Sequence, residues 1–412
     1  LRLFKTNNTD FIQSYLFKQK INAACSDYSS KSSQFFWESL GFFYGSLIAL
    51  SFYKIIANNY DPVKDELIFL GRDGYSIKLF FDILKPKWNS HYVHLPRTFT
   101  KKCSFPLNLD YDDDVHFLYE LFNKNCTNRD INFRKKFIIS NREKYLAYSQ
   151  NKKTFYTKYL KFNKIDLNKR LIVVDSSTMR FSAQELLSSI AVKGVFGIYF
   201  YVRNKTHKNY NYQSVYDYSH EHLGPPLEMK FIFFIEYILA SPESFIVDFD
   251  EKNFDHIYGD LSAEEKRRKN VKNFITNGIK RGSVMIKSII GDSIYSVNTA
   301  FLMKNIQSFI YSLSPEEAHF FKKINISTDF KHLRYEPLLS SDLSFFQTLL
   351  ATKETAKKLK ALTHLETPQL IAMMIRYPIA IKSSSRNAYF NVYIFPYLNT
   401  NFFSVELKIF NR

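Results

Sequence analysis

Glycine and proline are scarce, at 11 and 12 residues in a chain of 412. Their scarcity excludes collagen-like repeats and long flexible linkers. Cysteine is rarer still: Cys25, Cys103 and Cys126 are odd in number and lack metal-ligand spacing. They read as free thiols of a reducing compartment, not as a disulfide framework. No cleavable signal pattern opens the chain, which starts on Leu1 rather than Met, as a piece of a longer protein would. No apolar run reaches uninterrupted the ~20 residues that a membrane span needs. The nearest, Gln34–Ile56, is broken by Glu38, Gly41, Gly45 and Lys54 and reads as a buried helix. There is no zinc pattern, no RNA-binding aromatic motif and no localised basic arm, so nucleic acid is not an expected partner. Internal repeats and a DxDxT phosphatase motif are also missing.

What remains is a chain able to build a large core. Hydrophobic residues make up 45% of it, and aromatics 17%, so global disorder is excluded. Its length predicts two or three domains. Lys and Arg outnumber Asp and Glu by 57 to 39, a net charge of +18. Such a surface favours anionic partners, although a lysine-rich surface serves solubility equally well.

Two stretches carry most of the information: Leu67–Tyr75 (LIFLGRDGY) and Leu171–Gln184 (LIVVDSSTMRFSAQ). Each is an apolar run that stops at polar residues and resumes with a helical pattern. Parallel strands that deliver their C-terminal loops to a ligand read this way. The strands are expected at Glu66–Leu70, from His91 to Leu95, at Leu171–Val174 and at Val195–Val202. Helices are expected from about Ser76 to Leu84 and over Ala183–Ile190, giving two right-handed βαβ units. Lys230–Ala240 reads as an apolar helix carrying one acid, Glu236. Ser262-Ala-Glu-Glu265 and Ser314-Pro-Glu-Glu317 match capping boxes, so 262–325 is expected to be largely helical. Aromatic alternation near the C-terminus predicts short strands.

The candidate site residues sit at the strand ends. Arg72 can fork a pyrophosphate, Asp73 can take a proton or a metal, and Gly74 permits close backbone approach. Arg97, after the next strand, is a third anion-binding candidate. In the second stretch Asp175 can reach ribose hydroxyls or a magnesium ion. Ser176, Ser177, Thr178, Arg180 and Ser182 offer hydroxyls, a guanidinium and a helix start to a phosphate. The purely structural alternatives are an Arg–Asp salt bridge and a strand-to-helix turn. Tyr111-Asp-Asp-Asp-Val reads as a helix N-terminus rather than a metal site.

FLGRDGYSIKLF, LIVVDSSTMRFSAQELL, GIYF and the Glu236…Ser241-Pro242-Glu243-Ser244 element resemble a phosphoribosyltransferase-fold module of bacterial polysaccharide assembly. This module is found beside HAD-type phosphatases in capsule and O-antigen loci. The resemblance covers roughly residues 30–330. The chain departs from it in having no glycine between 175 and 193. It implies transfer of a 5-phosphoribofuranosyl group from phosphoribosyl pyrophosphate (PRPP) to a glycan hydroxyl, with inversion to a β-linkage. It also implies Mg²⁺ carried with the pyrophosphate, a lipid-linked glycan acceptor and a separate HAD-type phosphatase. Asp73 is then the first candidate base and Glu236 the second. Arg72 then goes with pyrophosphate, Asp175 with the ribose hydroxyls, Ser177, Thr178, Arg180 and Ser182 with the 5-phosphate, and Gly74, Arg97 and Ser176 with PRPP binding. A nucleobase phosphoribosyltransferase and a non-catalytic PRPP-binding module of a capsule machine stay open as alternatives.

The expected architecture is therefore α/β: a phosphoribosyltransferase-like parallel sheet with large helical insertions and a small C-terminal helical/β appendage. Residues 1–30 form an N-terminal segment. The core spans 31–255, with a helical insertion at about 105–168 and a loop or hood at about 203–225. A helical domain follows over 256–330, and 331–412 form the appendage, a candidate acceptor-binding region. The expected location is the cytoplasm, with peripheral contact at the inner face of the membrane through the basic surface.

Overall fold

A computed structural model describes residues 33–105, 109, 111–123, 130–178, 180–202, 210–216, 229–259, 263–311, 320–321, 324–327, 335–338, 379–383, 386–394 and 403–409. The N-terminal segment, both capping-box serines, Cys25 and Cys126 lie outside these residues, as do 203–209 and 217–225 of the expected hood. The architecture is mixed α/β. Strands β1 (Asp65–Leu70), β2 (Ser90–Val93), β3 (Arg170–Thr178), β4 (Val195–Val202) and β5 (Tyr212–Tyr216) form one sheet in the order β2-β1-β3-β4-β5. Every pairing in it is parallel.

Two expectations change here. The hood was expected to be loop over 203–225, yet Tyr212–Tyr216 is a fifth strand beside β4. Its Tyr-rich, polar sequence hides a buried end at Val215 and Tyr216. The second strand was expected to end at Val174, but β3 runs on to Thr178. It does so because β4 is long enough to pair with it as far as Val202. The polar run is thus mostly strand.

Side chains alternate across the pleat into two cores. Leu67, Phe69, Ile172, Val174, Phe196, Ile198 and Phe200 pack in one cluster. That cluster also holds α1 (Ser33–Asn59), α2 (Gly74–Leu84) and residues of 231–310. Ile68, Leu70, Leu171, Val173 and Val195 face the other cluster. There α3 (Arg97–Cys103) and α6 (Arg142–Phe162) cover them, with α4 (Asp112–Phe122) and α5 (Ile131–Ser140) forming a small cluster alongside. Cys103 of α3 is a buried free thiol, as its lack of a spaced partner suggested.

Helix α1 is long and apolar enough to cross a membrane, but 78% of its most apolar window is buried inside the protein. Its middle, Gly41–Gly45, winds as a π-helix. Here α1 meets α9 (Ala263–Ile290), which follows α7 (Ser182–Ser188) and α8 (Met229–Leu239) and precedes α10 (Thr299–Tyr311). A Cβ on Gly41 would lie 2.0 Å from the Ile275 carbonyl oxygen, and one on Gly278 would lie 1.9 Å from that of Glu38. Backbone touches backbone, and only glycine permits it. The glycines that broke the apolar run are the seat of α9. Through Ile275, Ile279, Ile286 and Ile290, α9 shares the core of the sheet. The β6 (Ile246–Phe249)–β7 (His256–Tyr258) hairpin was not anticipated; Thr98 donates 2.6 Å to Val247 O and fixes it to α3. The pair β8 (Asn325–Ser327) and β9 (Tyr335–Pro337) was not anticipated, whereas nearer the C-terminus the expected short strands appear as a sheet of β10 (Ile379–Ser383), β11 (Arg386–Ile394) and β12 (Phe403–Ile409).

Ion pairs seal the N-terminal edge of the main sheet. Asp65, 2% exposed, accepts from Arg170 Nε at 2.9 Å and Nη2 at 2.8 Å, and from the Asp61 N–H at 2.8 Å. Glu66 meets His91 at 3.0 Å and Lys169 at 3.3 Å. We expect Asp65→Asn to lower unfolding free energy by about 2 kcal/mol. A fully buried pair would lose more, but Arg170 is 38% exposed. A urea midpoint that does not fall would disprove this role.

Candidate functional site

With one edge sealed, the carboxyl ends of the strands are left to bind. The connection from β1 leads to β2 on one side, and β3 lies on the other, so chain direction switches between β1 and β3. Such a switch point opens a crevice beyond the strand ends.

The turn after β1 is held firmly. Gly71 N–H donates 2.7 Å to Val93 O, and Ser241 N–H donates 2.8 Å to Arg72 O. A Cβ on Gly74 would sit 2.9 Å from the Phe69 carbonyl carbon, so this glycine serves the packing of α2 on β1. Asp73 occupies the N-cap position of α2 but does not cap it. Its Oδ2 instead accepts from Ser176 Oγ across the crevice at 2.9 Å. Next to it, Ser177 Oγ donates to Glu236 Oε1 of α8 at 2.5 Å. Asp175 Oδ1 accepts from the Ser176 N–H at 2.8 Å.

Asp73, Asp175 and Glu236 are therefore neighbours, and their charges oppose one another. Burial, then the Asp73 charge, pushes Asp175 well above the usual carboxylate range. The same two causes push Glu236 from 4.5 up to about 7. The Arg97 guanidinium, at the exposed start of α3, acts against both shifts. Of the sequence candidates, these residues, Arg72 and the two serines converge.

The remainder of the second stretch is arranged differently. Thr178 Oγ1 accepts from Phe181 N–H at 3.0 Å. Phe181 adopts a left-handed φ of 53° where a glycine would sit without strain. It is held there by burial against Tyr199, Tyr210 and Tyr212. Arg180 pairs with the buried Asp114 at 3.0 Å and stacks 3.5 Å from the Tyr111 ring centroid, while its Nε finds no partner. Asp114, like its neighbours, lies in the first turn of α4, as expected of the Asp run. Ser182 is exposed at the start of α7.

Several residues at the crevice were missed from the sequence. Helix α9 brings Glu265, Arg268 and Lys272, all buried. Arg268 donates to Glu265 Oε2 at 2.9 Å, to Ser241 O at 2.8 Å, and to Glu243 O. Arg72 Nη1 stands 3.8 Å from Glu265 Oε1 and makes no hydrogen bond. Lys272 Nζ lies 4.1 Å from the Tyr237 ring centroid and has no hydrogen-bond partner. Burial, then the Arg268 charge, holds Lys272 well below the ordinary lysine range. The sequence did contain a signal: Glu265, Arg268 and Lys272 continue the stripe of Ile275 and Ile279, so three charges share the buried face. On the opposite side His94 Nε2 meets Glu243 Oε2 at 3.3 Å and its ring packs 4.4 Å from that of His256.

No known protein family matches the chain, and comparison with curated proteins finds no match either. Among the described residues no group of three or more His, Cys, Asp or Glu side chains is arranged to hold a metal by itself.

Proposed function

We propose that the chain is a PRPP-dependent glycosyltransferase on a phosphoribosyltransferase-like sheet. It moves a 5-phosphoribofuranosyl group to a glycan hydroxyl in polysaccharide assembly. The observation that carries this reading is the meeting of side chains at the switch point between β1 and β3. Three neighbouring carboxylates (Asp73, Asp175, Glu236) stand there beside the guanidinium of Arg72. A sugar that departs from a diphosphate needs both halves.

In the reaction the C1–O bond to pyrophosphate breaks, and the bonding electron pair leaves with pyrophosphate. The acceptor oxygen bonds to C1 from the opposite face, turning an α donor into a β product. The acceptor proton passes to a carboxylate. Glu236 takes this role ahead of Asp73, because a base with a pKa of about 7 is half ionised at working pH yet still basic. Arg72 and Arg97 meet the charge that grows on the leaving group. Asp175 faces the ribose hydroxyls. Arg180, with its free Nε, and Ser182 receive the 5-phosphate. Asp73 and Asp175 fit a magnesium ion held in part by the diphosphate, since such ions need only one or two protein carboxylates. When bound, it would neutralise charge on the leaving pyrophosphate. The C-terminal strands are assigned to the acceptor. The 5-phosphate is left for a separate phosphatase.

The test is pyrophosphate release from PRPP with Mg²⁺ and a panel of monosaccharide glycosides. We expect release that depends on one acceptor class, with a β-ribofuranosyl product by NMR. Release with free nucleobases alone would transfer the chain to the nucleobase enzymes. No release with any acceptor would overturn the transferase reading.

A further inference from the structure

Buried ammonium groups are rare without a partner, because burial penalises the charged form and leaves donors unmet. Lys272 is 1% exposed and its Nζ has no hydrogen bond. Arg72 has the same deficit at Nη1, although its side chain is 28% exposed. Arg268 is different, since its guanidinium is spent on Glu265 and two backbone carbonyls. Four basic side chains, Arg72, Arg97, Arg268 and Lys272, act on this corner together with the carboxylates of Glu265, Asp73, Asp175 and Glu236. Asp73 is already engaged by Ser176, and the nearby Glu243 faces His94.

We infer that Arg72 and Lys272 are the two jaws of a diphosphate-binding site, with Arg268 as the positioning residue that joins α9 to the turn before Glu243. Two separate sets of unmet donors suit an anion with two phosphoryl groups. A monophosphate or carboxylate would leave one jaw empty. Arg72 supplies a planar fork and reaches solvent, while the buried Lys272 supplies a point charge. A bound polyanion offsets the mutual repulsion that disfavours the Lys272 ammonium. The inference shares its pocket with the transferase reading, and rests on that reading only for the identity of the sugar attached to the diphosphate.

Calorimetric titration of the whole chain with inorganic pyrophosphate, without metal, tests it. We expect saturable binding, with orthophosphate at least about tenfold weaker, and a loss of about tenfold or more in Lys272→Met and in Arg72→Met. Lys269→Met, which removes an exposed charge from the same helix, should bind like the parent. Lys272→Met should melt no lower than the parent, since a buried unpaired charge is replaced by an apolar side chain of similar length. Equal binding of orthophosphate and pyrophosphate, or a Lys272→Met that binds as tightly as the parent, would overturn the site. Titration with PRPP and with a nucleoside diphosphate separates the two readings. Pyrophosphate and nucleoside diphosphate binding through Lys272, with no turnover of PRPP, would keep the diphosphate site and remove the PRPP donor. PRPP turnover unaffected by Lys272→Met would do the reverse.

Discussion

Glu236→Gln is expected to slow phosphoribosyl transfer by about 10²- to 10⁴-fold, the usual contribution of a positioned general base. Glutamine keeps an oxygen to accept from Ser177 Oγ, so the 2.5 Å contact can survive while the basicity is lost. The fall should therefore appear in kcat, with KM for PRPP little changed. The pH dependence tests the same assignment. A base that titrates near 7 must lose its proton before it can act, so kcat/KM should rise with pH through about 7. That limb should vanish in Glu236→Gln. Asp73→Asn separates the two candidate bases. The Asp73 charge raises Glu236, so removing it should move the limb to lower pH and leave much of the rate. If Asp73→Asn is instead inactive even at saturating Mg²⁺, while Glu236→Gln keeps the rate and the limb near 7, Asp73 is the base.

A stability effect accompanies the kinetic one. The unfolded chain holds Glu236 at its ordinary 4.5, and the fold raises it to about 7. Between those values the folded state binds more protons than the unfolded state, so stability declines as pH rises. The contribution is fully present below about 4.5 and is lost above about 7. Glu236→Gln should flatten this part of the profile. An unchanged slope would mean that Glu236 does not titrate near 7.

Gly278→Val is expected to be the most damaging single change to the fold, at about 3 kcal/mol or more. Its Cβ would lie 1.9 Å from the Glu38 carbonyl oxygen and 2.7 Å from the Phe42 nitrogen. Both are backbone atoms of α1, so no side chain can swing away. Nor can α1 retreat, because Trp37, Ile48 and Phe52 bury it against the rest of the core. The helices would have to part, and α9 would carry Lys272 away from the crevice. Pyrophosphate binding should fall along with the urea midpoint. Gly194→Ala is the comparison: φ is +81° there but nothing lies within 4 Å of a Cβ, so only the backbone strain of about 1–2 kcal/mol is expected. A Gly278→Val protein as stable as Gly194→Ala would refute the backbone contact between α1 and α9.

How much of this was legible differs between elements. The strands at 65–70, 170–174 and 195–202 were readable because buried parallel strands are continuous apolar runs. The β1 turn was readable because its polar residues follow such a run directly. The fifth strand was not, since Tyr212–Tyr216 is polar in sequence and becomes a strand only through the partner that β4 offers. The end of β3 was missed for the same reason: strand length is set by pairing, and the partner is not a local property.

The site divides along the same line. The short-range pattern of the chain is enough to place Arg72, Asp73 and the Asp175–Thr178 run at strand ends, because hydrophobic periodicity and its interruptions act over a few residues. Which of them meet is settled by packing. Ser176 finds Asp73 because β3 lies beside β1, and Ser177 finds Glu236 because α8 crosses over the end of β3. Lys272 and Arg268 reach Arg72 because two glycines let α9 press its backbone onto α1. Contacts between such distant residues depend on the shape of the whole core, and that information is in no single segment of the chain.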